Sequence, residues 1–241
     1  MLNLILKSLQ TFKYEFVQFI KIKMVKEKEA RIKAIIFDVG GVLAIPTYPV
    51  KLLEDHNYGV HHYVADKLQI VLDQWFDAID TAYVKSMEGK ISEKETIRII
   101  SKNLGISGWK LKRLIVKAYK KNFYQNKELY KIAFGLRKKG YKIAVLSDQW
   151  HLSKRALIKK RYMKKFNAVV ISCDIGVRKP NAKIYKIVLK KLKLSAKNCL
   201  FIDNQMWNIK SAQKLGVNCI LFKNNKQLFK EFDKFGVYVD G

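Results

Sequence analysis

Five short runs of apolar residues punctuate the chain, and each is followed by a polar or glycine-containing segment. The runs are Ile32–Phe37, Lys142–Leu146, Ala168–Ile171, Cys199–Ile202 and Cys219–Phe222. Unbroken apolar runs of this kind are typical of strands that are buried on both faces, as in a parallel sheet covered by helices. The pattern therefore predicts five parallel strands.

Segments with helical spacing alternate with these strands. They cover residues 127–139, 151–164, 181–192, 206–215 and 225–235. Gly140 and Gly216 follow two of them, where a glycine commonly ends a helix because it accepts a left-handed backbone conformation. This alternation predicts the α/β class, a Rossmann-like three-layer fold with one parallel sheet between two helical layers.

About a hundred residues without strand character separate the first two predicted strands. Residues 60–80, 92–104 and 108–124 have helical periodicity, and Ser92 with Glu95 three positions later is a helix-capping pattern. A connection between parallel strands normally needs far less chain. We therefore predict a helical cap inserted into an α/β core. The predicted boundaries are 1–31 for an N-terminal extension, 32–48 and 125–241 for the core, and 49–124 for the cap.

The N-terminal extension is basic and amphipathic. Its apolar residues recur at steps of three and four, at Leu2, Ile5, Leu9, Phe12, Phe16 and Phe19. Lys7, Lys13 and Glu15 interrupt it, so no run reaches the roughly 20 residues that span a bilayer. A signal-peptide cleavage pattern is also missing. Two interpretations stay open: a helix resting on an anionic membrane surface, or a segment that precedes a translation start at Met24.

The chain is strongly basic. Lys and Arg number 48 against 20 Asp and Glu, which gives a formal net charge of +28. Such an excess favours polyanions or phosphorylated molecules as partners. The basic residues are nevertheless spread along the chain, as expected for lysines that cover solvated helix faces. We favour that interpretation over a nucleic-acid-binding surface, which stays open.

Three cysteines, Cys173, Cys199 and Cys219, lie in or beside predicted strands and show no CxxC spacing. Buried thiols fit this placement better than a disulfide or a zinc site does. The cysteines therefore predict a reducing, cytoplasmic location.

Four polar residues stand at the carboxyl ends of predicted strands or in the loops that follow: Asp38, Ser147, Lys179 and Asp203. Ligands of open parallel sheets bind at this edge. A carboxylate placed directly after a buried strand is costly unless it has a partner or a function. The four residues together predict a catalytic site.

The segments around these residues resemble the motifs of the haloacid-dehalogenase superfamily. AIIFDVGGVLA (34–44) is similar to its nucleophile motif, AVLSD (144–148) to its second motif, VRKPNAKIY (177–185) to its lysine motif, and FIDNQMWNIKSAQKLG (201–216) to its fourth motif. EGKIS (88–92) is similar to a turn in the helical caps of this group. The resemblance covers roughly residues 32–222 and indicates the helical-cap, phosphatase-like subgroup.

The resemblance implies a Mg²⁺-dependent phosphatase that acts on a small phosphorylated metabolite. Asp38 would attack phosphorus and form an aspartyl-phosphate, which water then hydrolyses. Ser147 would hydrogen-bond the transferring group, and Lys179 would balance its negative charge. The implied metal ligands are Asp38, Gly40 through its carbonyl oxygen, Asp203 and Asn204.

Four further residues belong to the implied site. Gly41 would let the backbone approach the ligand closely, and Asn208 matches a family position that braces the lysine. Asp148, the last residue of the second motif, and Trp150, two residues after it, would face the substrate. The alternatives are an ordinary turn or helix cap for Asp148 and packing beneath the cap for Trp150.

Two positions depart from the family pattern. Most phosphatases of the superfamily carry a second Asp two residues after the nucleophile, which protonates the leaving group and then activates water, but this chain has Gly40 there. A subgroup resembling the glucose-1-phosphate phosphatases also has Gly at this place. Where the fourth motif usually has a second acid, this chain has the neutral Asn204. Loss of a general acid or base costs roughly 10²–10⁴-fold, and loss of a carboxylate weakens Mg²⁺ binding, so both changes predict an impaired enzyme.

Four histidines are candidates to replace the missing acid: His56, His61 and His62 in the predicted cap, and His151 after the second motif. For the cap histidines a polar loop or a helix start is the favoured interpretation. Two other functions stay open. One is a non-catalytic binding or regulatory protein with a phosphate pocket or a nucleic-acid surface. The other is a metal-independent dehalogenase, although its subgroup usually lacks an acid where Asp203 stands and has an Asp in place of Asn208.

Overall fold

A computed structural model describes residues 32–48 and 59–238 of the chain. The strands are β1 (Ala34–Phe37), β2 (Ala44–Pro46), β3 (Phe123–Gln125), β4 (Lys142–Ser147), β5 (Ala168–Ile171), β6 (Cys199–Asp203) and β7 (Asn218–Leu221). The helices are α1 (Val60–Leu68), α2 (Leu72–Met87), α3 (Glu93–Leu104), α4 (Gly108–Asn122), α5 (Lys127–Lys138), α6 (His151–Leu157), α7 (Lys160–Met163), α8 (Ser172–Ile175), α9 (Ala182–Leu192), α10 (Met206–Gln213) and α11 (Asn225–Lys234).

The central strand β1 belongs to a five-stranded parallel sheet with the order β5–β4–β1–β6–β7. Its side chains alternate between two apolar layers, with Ile35 and Phe37 in one and Ala34 and Ile36 in the other. All four are almost completely buried. The sheet is therefore covered on both faces, which confirms the predicted α/β class.

Helices supply the apolar side chains that cover each face. On the side of Ile35, α5 and α11 contribute Leu129, Ala133, Leu136, Leu228 and Phe232. On the side of Ala34, α9 and α10 contribute Ile184, Val188, Leu192, Ile209 and Ala212. In the central part of the sheet Phe37 lies beside Val145 and Ile202. The loops after β1, β4 and β6 consequently meet at one edge.

The inserted helices α1–α4 leave and rejoin the core through a short antiparallel pair of strands. In this stem Ala44 pairs with Gln125, Ile45 with Tyr124 and Pro46 with Phe123. Three-residue strands carry no readable period, so the sequence did not predict them. The domain boundaries at 49 and 124 stay a prediction.

Two predicted helices are each divided in the structure. The helix predicted over 60–80 ends at Leu68, because Gln69 adopts a left-handed conformation (φ 56°), and α2 begins three residues later. The helix predicted over 151–164 is split into α6 and α7. The capping predictions agree with the structure: Ser92 Oγ accepts the Glu95 N–H at 3.1 Å, and Gly140 and Gly216 have φ of 92° and 78°.

In the described ranges no helix combines the length and the apolar character needed to cross a membrane. The N-terminal segment with Met24, and His56 in the cap, lie outside the described residues. Cys173 and Cys199 are buried, Cys219 is half-buried, and all three are free thiols.

Candidate active site

The structure brings Asp38 and Lys179 into direct contact at the carboxyl edge of the sheet. Asp38 follows β1, and its N–H donates to the Ile202 carbonyl of β6 at 2.9 Å, which fixes the residue at the strand end. The Lys179 ammonium lies 3.0 Å from Asp38 Oδ1, and both side chains are at least nine-tenths buried. A carboxylate and an ammonium are thus held together where little water screens them.

Asp203 is the second carboxylate on the same ammonium. Lys179 Nζ donates to Asp203 Oδ2 at 2.6 Å, and Asp203 is fully buried at the end of β6. Its oxygens also accept the Gln205 N–H at 2.7 Å and the Asn208 amide at 3.1 and 3.2 Å. Asn208 was predicted to brace the lysine, and in the structure it acts on Asp203, which in turn holds Lys179.

Residues of the second motif lie next to Asp38 and Lys179. Ser147 is fully buried, its hydroxyl accepts the Gln149 side-chain amide at 3.0 Å, and it lies close enough to Asp38 to lower the pKa of that carboxyl. Asp148 Oδ1 accepts the Lys179 N–H at 3.0 Å, which anchors the lysine loop to the end of β4. Gln149 is a buried residue that sequence analysis missed, since an amide after a strand carries no catalytic signal of its own.

These buried charged groups shift one another's pKa values. Burial raises the pKa of Asp38 to about 6, against the opposing effect of Lys179. Burial alone would lower the pKa of Lys179, but Asp38, Asp203 and Asp148 raise it above its ordinary value. Burial also raises the pKa of Asp148. The lysine therefore stays charged at neutral pH, and the carboxylates of Asp38 and Asp148 are more basic than in water.

A cavity of about 460 Å³ opens above Asp38 and Lys179. The other residues that line it are Gly40, Asp148, Arg178, Pro180, Asn204, Gln205, Trp207 and Asn208. Among the described residues, all lining positions belong to the core and none to α1–α4. Arg178, Gln205 and Trp207 were missed, although they stand inside the third and fourth motifs.

Gly40 and Gly41 have different surroundings. A Cβ atom at Gly40 would meet no atom within 4 Å, and the backbone there is not left-handed. Gly41 has φ 85°, and a Cβ atom there would lie 2.4 Å from Asn204 Nδ2. Gly41 is therefore required by its conformation and by the Asn204 side chain, whereas a side chain at position 40 has room to project.

Asn204 has an amide oxygen that is buried and lacks a hydrogen-bond partner in the described part of the protein. Such an oxygen is costly unless a donor or a cation meets it. Asp38 and Gly40 line the same cavity, so the possible ligands are a carboxylate, a backbone carbonyl and an amide oxygen. Mg²⁺ prefers oxygen ligands, and it needs few from the protein when a phosphate supplies others. The residues present fit a magnesium ion, with the amide of Asn204 in place of the second carboxylate of the fourth motif.

Four predicted positions lie behind the cavity rather than on its wall. Asp203, Ser147 and Gly41 are next to lining residues but do not line it. Trp150 is 1% exposed, donates its indole N–H to Tyr119 Oη at 2.9 Å and packs on Tyr83, so the predicted substrate contact is wrong and the packing alternative holds.

The described histidines do not reach the cavity. His61 Nδ1 accepts the Trp75 indole N–H at 2.9 Å, and burial lowers its pKa to about 4, so this ring is neutral at physiological pH. His151 Nδ1 shares a 2.9 Å hydrogen bond with Ser86 Oγ. Neither ring, nor His62, is placed to replace the acid missing at position 40.

The motifs on this edge have counterparts in known proteins. The sequence profile of haloacid dehalogenase-like hydrolases matches residues 32–216. The chain belongs to this family. Bifunctional epoxide hydrolase 2 of Rattus norvegicus is 25% identical over 218 residues, which is 82% of this chain and 38% of that protein. The chain thus spans less than two fifths of the length of this curated relative.

Further likenesses come from a phosphatase and from a solved structure. Glyceraldehyde 3-phosphate phosphatase of Pyrococcus abyssi is 30% identical over 102 residues, which is 40% of this chain and 41% of that protein. A HAD family enzyme of Bacteroides thetaiotaomicron superposes with a TM-score of 0.66 at 20% identity, covering 84% of this chain and 98% of the other. The same enzyme in complex with magnesium and inorganic phosphate gives 0.61 at 20% identity, over 82% and 99%. The likeness to this enzyme shows the shared fold.

Proposed function

We propose that this HAD-like hydrolase is a cytoplasmic, Mg²⁺-dependent phosphatase of small phosphorylated metabolites. The observation that carries the proposal is the buried contact of Asp38 with Lys179 at the floor of an open cavity. A nucleophilic carboxylate needs a neighbouring cation because it must approach a phosphate dianion. The free cysteines support the reducing compartment.

Asp38 is the nucleophile in this proposal. One carboxylate oxygen attacks phosphorus, the bond to the alcohol oxygen breaks, and an aspartyl-phosphate forms. Lys179 holds the attacking carboxylate and balances charge on the transferring group, while Asp203 and Asn208 keep the lysine in place. Mg²⁺, held by Asp38, Asn204 and the Gly40 backbone, would neutralise the phosphoryl oxygens. Water then hydrolyses the aspartyl-phosphate.

The relatives support the same chemistry. The Pyrococcus abyssi relative is named for phosphatase activity on glyceraldehyde 3-phosphate, and the Bacteroides enzyme binds magnesium and inorganic phosphate. The Pyrococcus relative matches 40% of this chain, and the Bacteroides enzyme covers 82% of it.

The test is a panel of phosphate monoesters assayed with and without Mg²⁺. We expect turnover by the wild type only with the metal, and none by Asp38→Asn. Asp77→Asn, which changes an exposed carboxylate on α2, is the matched control and should retain the full rate. A rate that survives in Asp38→Asn would remove the proposed nucleophile.

The leaving group gives a second readout. Because Gly40 has no proton to donate, aryl and acyl phosphates, whose alcohols or acids leave without protonation, should react far faster than alkyl phosphates. The difference should be seen in kcat when compounds that bind with comparable affinity are compared. Equal rates on both classes would contradict the idea that position 40 lacks a needed acid.

A non-catalytic binding or regulatory protein is the second candidate, and one observation favours it. The described residues contain no group of three or more His, Cys, Asp or Glu side chains that could hold a metal ion. Asn204→Asp separates the two candidates because it restores a carboxylate without changing shape. In a phosphatase it should raise activity and the stabilisation by Mg²⁺ on melting. In a binding protein it should change neither, and a nucleic-acid ligand would reveal itself by an affinity that falls steeply with salt.

A further inference from the structure

A large aromatic side chain stands exposed beside the proposed catalytic site. Trp207 is the second residue of α10, and 60% of its surface is accessible. Burying a Trp ring stabilises a folded protein substantially, so a ring left in water beside a cavity is a candidate contact for a ligand. On the same helix Met206 is also exposed, whereas Asn208 and Ile209 are buried.

Trp207 lines the same cavity as the proposed catalytic groups. Asp38 and Lys179 are buried in its floor, whereas Trp207 and Arg178 are exposed on its rim. The Arg178 side chain is held at the rim by Glu88, at 3.4 Å between Nε and Oε1. A ligand whose phosphate reaches the floor must therefore place its remaining atoms against core residues, because α1–α4 supply no lining residue in the described ranges.

We infer that Trp207 is a stacking platform for a planar heteroaromatic ring, so that the substrate is a phosphomonoester whose alcohol carries such a ring. This inference rests on the proposed phosphatase function and specifies its substrate class. A ring stacks on indole without needing particular hydrogen bonds, and a guanidinium on the same rim favours electron-rich rings and further negative charge. A compact sugar or glycerol phosphate offers no flat face to Trp207.

The test measures binding rather than turnover. AMP, pyridoxal 5′-phosphate and FMN are titrated by calorimetry into the full chain carrying Asp38→Asn, in the presence of Mg²⁺, and ribose 5-phosphate serves as the ring-free reference. We expect at least one ring-bearing compound to bind about tenfold tighter than ribose 5-phosphate, as stacking on one aromatic side chain provides.

Substitutions assign that preference to one side chain. Trp207→Ala should bring the ring-bearing compound to within about twofold of ribose 5-phosphate, and Trp207→Phe should retain most of the preference. Trp109→Ala is the matched control, since Trp109 is 70% exposed but lies on α4 away from the cavity. It should leave every affinity unchanged.

Two results overturn the inference: no ring-bearing compound binds tighter than ribose 5-phosphate, or the preference survives in Trp207→Ala. Either can occur in an active phosphatase, which would leave the proposed function intact. Conversely, ring-dependent binding that requires Trp207 in a protein without Mg²⁺-dependent turnover would support the stacking role of Trp207 and remove both the proposed function and the assignment of a substrate.

Discussion

Restoring an acid at position 40 tests how this site does its chemistry. In Gly40→Asp the new carboxyl group would project beside Asp38, where the structure leaves open space and the backbone accepts any L-residue. Removing a general acid or base from an enzyme costs roughly 10²–10⁴-fold. We expect a gain near the lower limit, about 100-fold in kcat/KM on an alkyl phosphate, because Asn204 still limits the metal site and Asp148 adds negative charge to the same cavity.

The assay compares an alkyl with an aryl phosphate at saturating Mg²⁺. The gain on p-nitrophenyl phosphate should be less than about tenfold, since a good leaving group needs little help from an acid. Gly40→Asn is the matched control: its side chain has the same shape, and it cannot donate the proton. It should not exceed the wild-type rate.

One result would refute this reasoning. If Gly40→Asp folds with an unchanged melting temperature and raises neither rate, or raises both by the same factor, then proton donation at position 40 is not what limits the enzyme. An equal gain in Gly40→Asn would assign the effect to packing.

Three further predictions concern the surroundings of the site. Lys179→Met leaves two buried carboxylates without their cation and should lower the free energy of unfolding in urea by about 3–5 kcal/mol, while Lys183→Met, at an exposed position, should change it by less than about 0.5 kcal/mol. Gly41→Ala should reduce Mg²⁺-dependent stabilisation on melting, because its Cβ displaces Asn204. Gly105→Ala, at a left-handed glycine with open space, should cost about 1 kcal/mol in stability and leave the response to Mg²⁺ unchanged. Burial raises the pKa of Cys173 to about 11 and of Cys199 and Cys219 to about 12. A thiol reagent at pH 8 should therefore label the three thiols rapidly only after unfolding, and rapid labelling of the native protein would contradict these raised pKa values.

The sheet and the candidate site at its edge were predictable because apolar runs and the residues that follow them are local signals. Asp38, Ser147 and Asp203 each end or directly follow a strand whose buried pattern is unambiguous, and parallel register brings them together. The third and fourth motifs then supply Lys179 and Asn208 at fixed distances along the chain. The proximity of these residues at one edge of the sheet is therefore predictable from the sequence.

Features that depend on packing between distant segments could not be predicted in this way. A Trp after the second motif can face a ligand or pack under a cap, and only the position of Tyr119 and Tyr83 decides for packing at Trp150. The helix ends before Gln69 although no Gly or Pro in the sequence marks this position. The lack of a partner for the Asn204 oxygen, likewise, is a property of the assembled edge.

The guanidinium of Arg178 lies between the cavity and the Glu88 carboxylate. On one side it lines the candidate-site cavity, and on the other it pairs with Glu88, the first residue after α2, close to where Gly89 approaches the Cys173 carbonyl. An anion that enters the cavity competes with Glu88 for this one cation. Glu88 keeps Lys90 as a second partner at 2.6 Å, and the Arg178 pair is partly exposed to solvent. We therefore expect occupancy of the cavity to be coupled only weakly to the attachment of the inserted helices at this corner, while the paired strands at Ala44–Pro46 and Phe123–Gln125 keep the insertion anchored.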